Sequence, residues 1–134
     1  MSIDLASALE ILRREMPDLV AVYVFGSAAD DALRPDSDVD LAFLTPRPQP
    51  RQAVLERQEA LARVLGRDVD LVDLVAAPTV LQVQVIGEGR LIDATEPDAA
   101  ALFEVRVLRD YQDLKARRAD IEADIVRRGR VYAG

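Results

Sequence analysis

A chain of 134 residues is expected to form one domain, spanning residues 1–134, with enough length for a single core. Half of the residues are hydrophobic, only 4% are aromatic, and both cysteine and histidine are absent. This excludes disulfides, thiolate zinc sites, cysteine nucleophiles and imidazole bases, and it leaves any metal to oxygen ligands. The net charge of −7 is uneven: nine Arg/Lys stand against eighteen Asp/Glu before Glu104, and eight against six from there onward. An acidic body argues against non-specific nucleic-acid binding and favours a basic protein or a metal-bound small anion as partner.

The N-terminal MSIDLASALE is amphipathic without an apolar signal core, and no apolar run approaches membrane-spanning length. The expectation is a cytoplasmic protein with no membrane contact. Ile3, Ala6, Leu9, Leu12 and Met16 predict a helix over 3–16, capped by Ser2 or Asp4 and ended by Pro17-Asp18. Leu19–Phe25 is continuous and β-branched enough for a buried strand. Gly26-Ser27-Ala28-Ala29 then begins a tight turn into about two turns of helix, closing at Arg34-Pro35-Asp36-Ser37.

Val39–Leu44 reads as the second strand, followed by a proline-marked surface loop at Pro46, Pro48 and Pro50. Arg51–Leu65 reads as a helix burying Val54, Leu61 and Leu65 and stopped by Gly66. Asp68–Val75 is the third strand, Pro78 starts a helix to about Ile86, and Gly87-Glu88-Gly89 turns into a short strand at Arg90–Asp93. Pro97 opens a last long helix, terminated at Gly129, with Phe103, Val107, Tyr111, Leu114, Arg118, Ile121 and Ile125 predicted as a buried stripe. Together with the aliphatic composition, these elements suit an α/β fold.

The chemistry concentrates between Val22 and Thr45. Strand alternation places Asp38 and Asp40 on one face and Val39, Leu41 and Phe43 on the other. Two carboxylates about 6–7 Å apart along a strand repel by roughly 2–3 kcal/mol at an effective dielectric near 20. Such a pair calls for a cation, and hard oxygen donors select Mg²⁺ or Mn²⁺. Gly26-Ser27 at a strand-to-helix turn offers backbone N–H groups, a hydroxyl and a helix N-terminus to a phosphate. On the third strand, Asp70 or Asp68 joins the pair if the strands are neighbours, making a clamp for two divalent ions suited to phosphoryl or nucleotidyl transfer. Asp73 falls on the opposite face, as an edge or capping residue. Without histidine, a carboxylate is left to act as base toward an acceptor hydroxyl.

Gly26-Ser27, ten intervening residues and Asp38-Val39-Asp40 resemble the signature of the DNA polymerase β-type nucleotidyltransferase superfamily. Within it the chain is similar to the minimal nucleotidyltransferases, including the MntA-like antitoxins of HEPN/MNT toxin–antitoxin systems. The likeness runs through the first helix, VFGS, RPDSDVDLAFL, VDLVDL and the basic C-terminal helix. It implies a nucleotidyltransferase fold, a small mixed β-sheet flanked by helices with a long C-terminal helix. Gly26 and Ser27 would bind the β- and γ-phosphates of ATP, and Asp38 and Asp40 would hold two Mg²⁺ ions. Asp70 would be the third carboxylate, shared between metal binding and activation of the acceptor. The implied reaction is AMP transfer from ATP to a tyrosine of the cognate HEPN ribonuclease, silencing it within a hetero-oligomer.

Where relatives commonly carry two basic residues and a glycine after Gly-Ser, this chain has Ala28, Asp30 and Asp31, which weakens the expected triphosphate site. Arg34 remains as a phosphate partner or a surface cap. An alternative follows, an antitoxin that neutralises its partner by binding alone; an aminoglycoside-type small-molecule nucleotidyltransferase is a further one. Relatives acting on nucleic acids or antibiotics carry added substrate domains, so the length favours a protein acceptor. Arg106, Arg109, Arg117, Arg118, Arg127 and Arg128 form either a docking face or pairs with Asp110, Asp113, Asp120 and Asp124.

Overall fold

The computed structural model describes residues 4–26, 29 and 37–133. The first helix, α1 (Leu5–Glu15), starts where the Asp4 carboxylate accepts from the Ser7 N–H at 3.1 Å and ends as the Met16 N–H bonds back to the Leu12 carbonyl. Asp4 is thus the cap. The strands β1 (Ala21–Phe25) and β2 (Val39–Leu44) pair antiparallel, and β2 has the predicted bounds. The helix α2 (Arg51–Leu65) closes on Gly66, which takes the left-handed conformation at φ 69° that suits a residue without a Cβ.

Next come β3 (Val69–Asp73), α3 (Thr79–Glu88), β4 (Arg90–Ala94) and α4 (Pro97–Ala133). The sheet order is β3-β2-β1-β4, with β3 parallel to β2 and β4 antiparallel to β1, so the sheet is small and mixed. Every residue of β1 is buried, as expected for a strand covered on both faces. On one face Val22, Val24, Val39, Leu41, Phe43, Val69 and Leu71 pack against Leu12 and Met16 at α1 and Leu61 of α2. On the other, Tyr23, Phe25, Ala42, Leu44 and Leu74 meet Val85 of α3 and Ala100 of α4. Alternation in β2 therefore sorts Val39, Leu41 and Phe43 into the first layer and leaves the even positions to the second.

Three expectations need correction. Gly87 does not turn the chain; it is helical, and α3 runs on to Glu88. The close approach falls at Gly89, where a Cβ would stand 2.9 Å from the Val24 carbonyl oxygen and 3.1 Å from Phe25 Cβ. Gly129 does not end α4, which continues to Ala133. One glycine costs a helix about 1 kcal/mol relative to alanine, too little to stop it among good helix formers.

The predicted stripe of α4 is buried only in its first half. Val107 is 2% exposed, whereas Ile121 and Ile125 are 59% and 61% exposed. A helix of 37 residues reaches about 55 Å. Strands of five or six residues span only about 17–20 Å. The distal half has outrun the body of the molecule. Among the described residues, no helix is long and apolar enough to cross a membrane.

Candidate active site

The site lies where β1 leaves the sheet and β2 and β3 enter it. Phe25, the last residue of β1, pairs with Asp40, and Asp40 pairs with Asp70 across the parallel β2–β3 ladder. Register neighbours in adjacent strands sit about 4.8 Å apart with side chains on the same face. Strand order and register therefore bring Asp70 beside Asp40, while Asp38 stands one residue ahead of the ladder. Asp38, just ahead of β2, is exposed, as is Asp70, while Asp40 is half-buried between them. Burial first, then the charges of Asp70 and Asp38, push the Asp40 carboxyl above the usual carboxylate range.

Gly26 holds a φ of +65°, a conformation that disfavours any residue with a Cβ. A Cβ built there would overlap Asp40 Oδ2 and lie 3.3 Å from Asp40 Cγ. The glycine was expected to let a phosphate approach the backbone. The first anion it admits is the chain's own carboxylate. Its carbonyl accepts from the Ala29 N–H at 3.1 Å. Ser27, Ala28, Asp30, Asp31, Arg34 and the predicted two-turn helix lie outside the described residues.

Among the described residues, no group of three His, Cys, Asp or Glu side chains is already gathered as a cage for an ion. The donor set nonetheless fits a hard divalent cation. The three acidic side chains supply oxygen donors only, and the charges of Asp70 and Asp38 add to burial in raising the Asp40 pKa, a repulsion that a cation between them would offset.

Asp68 stands apart from this group. It is an exposed residue ahead of β3, and its carbonyl accepts from the Val39 N–H at 2.9 Å. Of the two expectations for Asp73, an edge or a capping residue, the structure shows the edge: it is the last residue of the edge strand β3. Its Oδ2 accepts from the Gln49 N–H at 2.8 Å and holds the proline loop, while Oδ1 is buried without a partner among the described residues. Two contacts had no sequence signal because each joins positions about eighty residues apart. Tyr23 donates to Glu104 at 2.9 Å, and this bond, after burial, raises the phenol's pKa. Arg13 clasps Asp93 with two hydrogen bonds, tying α1 to β4.

Comparison with known proteins decides the family. The family model described as polymerase beta, nucleotidyltransferase matches residues 7–98, which takes in Gly26, Asp38, Asp40 and Asp70. This chain is a polymerase beta-type nucleotidyltransferase. It is 37% identical over 118 residues to the protein adenylyltransferase MntA of Shewanella oneidensis, covering 88% of this chain and 84% of that one. Among solved structures, it is similar to a chain of a toxin–antitoxin crystal structure with AMP-PNP, with a TM-score of 0.83 and 35% identity over 92% of this nucleotidyltransferase and 99% of that chain. A second match is to the complex of tri-AMPylated Shewanella oneidensis HEPN toxin with MNT antitoxin, with a TM-score of 0.75 and 35% identity over 90% of this chain and 94% of that one.

On α4 the Arg/Asp question divides along the helix. Arg127 and Arg128 pair with Asp124 at 3.6 and 3.0 Å, the intrahelical reading. Arg106, Arg109, Arg117 and Arg118 are exposed on the same helix, beside the apolar positions that outrun the core.

Proposed function

We propose that this nucleotidyltransferase transfers AMP from ATP to a tyrosine hydroxyl of a cognate HEPN ribonuclease toxin and so acts as its antitoxin. It works as a single minimal domain, in the cytoplasm, within a hetero-oligomer and without binding nucleic acid directly. The observation that carries the reading is the register of Asp40 with Asp70 beside Gly26. The likeness to MntA over most of both chains points to the acceptor.

Asp38 and Asp40 are the residues that would hold two Mg²⁺ ions, with Asp70 shared. The ions, when bound, neutralise triphosphate charge and stabilise the departing pyrophosphate. The turn at Gly26 and Ser27 receives the β- and γ-phosphates, which sets the α-phosphate beside the carboxylates. Asp70, more exposed than Asp40, accepts the proton of the acceptor hydroxyl. The hydroxyl oxygen bonds to the α-phosphorus, the bond from that phosphorus to the bridging oxygen breaks, and pyrophosphate leaves. The exposed basic and apolar positions of α4 dock the toxin's body.

The test is incubation with α-labelled ATP, Mg²⁺ and the HEPN protein encoded beside it. Label should appear on the toxin and vanish with Asp70→Asn. An unlabelled toxin, with ATP binding undetectable by calorimetry, would sink the proposal. Neutralisation retained by Asp38→Asn plus Asp40→Asn would instead point to inhibition by binding alone.

A further inference from the structure

The outer flank of β3 carries a feature that the reaction above does not use. Among the described residues this strand is a sheet edge, and one of its outward groups is already taken, the Leu71 N–H donating to Gln58 of α2 at 2.9 Å. Between α2 and the start of α3 the edge forms a groove of about 450 Å³. That volume falls in the range of sites that take a small molecule or a large side chain, about 300–1,000 Å³. Its apolar walls come from Val54, Leu55, Val72 and Leu81, with Gln58 among its polar groups. Leu55 is 45% exposed, a large apolar side chain left facing solvent on the groove wall.

Asp70 is among the residues that line this groove. Asp38 and Asp40 are not among its lining residues. The groove therefore shares with the carboxylate cluster the one residue assigned to the acceptor hydroxyl.

We propose that the groove is the acceptor subsite. A tyrosine of the partner protein lays its ring against the apolar walls and presents its hydroxyl to Asp70. This rests on the AMP-transfer reading and adds to it where the acceptor enters. An aromatic side chain suits the site because it buries a large apolar face while keeping one polar tip. A serine or threonine would leave the walls uncovered.

The test uses the full chain and its toxin partner. Leu55→Glu and Leu81→Gln each place a polar group on a wall, at positions that are not fully buried. Each should raise the KM for toxin at least tenfold with ATP affinity by calorimetry unchanged, and Leu55→Glu, at the exposed position, should also leave the melting temperature unchanged. Since the chain contains no cysteine, a second arm introduces Leu55→Cys and replaces the acceptor tyrosine of the toxin by cysteine. A disulfide should form between them under mild oxidation, and Leu102→Cys, on exposed α4 surface outside the groove lining, should give none. The inference is overturned if both wall variants label toxin within twofold of wild type, if they lose ATP binding together with transfer, or if the cysteines do not cross-link. Failure of the wild-type chain to label toxin at all would instead refute the reaction itself.

Discussion

Replacing Gly26 by alanine perturbs one methyl group at the point where β1, β2 and the carboxylates meet. Two costs can be worked from the geometry. The backbone stands at φ +65°, where a side chain is disfavoured by roughly 1–2 kcal/mol. The new Cβ would overlap Asp40 Oδ2 and sit 3.3 Å from its Cγ, so the carboxylate must swing away. A loss of about 1–2 kcal/mol in a domain of this size lowers Tm by roughly 3–8 °C. Activity should fall much further, because displacing a reacting group by about 1 Å costs on the order of 10²-fold. The assay pairs thermal denaturation with initial rates of toxin labelling at saturating ATP. Gly26→Ala should remain folded, lose a few degrees of Tm and lose labelling by about a hundredfold. A variant with full stability and labelling within threefold of wild type would falsify the claim that the glycine exists to make room for Asp40.

Four other substitutions test separate layers of the structure. Because its folded-state pKa is raised, the Asp40 carboxyl stabilises the fold below its unfolded value of 3.8, and that contribution is lost as pH rises through the raised folded value. In EDTA, Asp40→Asn should therefore match wild type near pH 3.5 and exceed its Tm at pH 7, with Mg²⁺ narrowing the gap by stabilising wild type alone; an equal gap at both pH values would refute this. Tyr23→Phe removes the donor to Glu104 at the junction of β1 and α4, and denaturant unfolding should show a loss of about 1 kcal/mol with nucleotide binding intact. Leu61→Ala empties a fully buried position between α2 and the sheet and should cost about 3–5 kcal/mol in the same assay, whereas Ile121→Ala on projecting α4 should cost under about 0.5 kcal/mol.

Local sequence determines a good deal here. Asp4 before α1, Gly66 after α2 and the strict alternation of Val39–Leu44 each act within a few residues, so their caps, stops and faces were legible in advance. The expectation that Asp38 and Asp40 share one face is of the same kind, since it rests only on the pleat. The meeting of Asp40 with Asp70 is different. It required β3 to lie beside β2 and parallel to it, in a register set by two apolar layers that the intervening helix and loops do not encode locally. Likewise Gly26 announced a turn, but that its missing Cβ houses the Asp40 carboxylate depended on strand pairing.

The long helix marks the boundary most plainly. Phe103, Val107, Tyr111, Leu114, Arg118, Ile121 and Ile125 recur at spacings of four and three, so the sequence by itself determined a helix with a seam that is apolar save for Arg118. Only the tertiary structure decided that the seam is covered at Val107 and bare at Ile121 and Ile125. Periodicity specifies which face is apolar, but coverage depends on how far the rest of the chain extends along the helix, and here the four short strands stop well before α4 does.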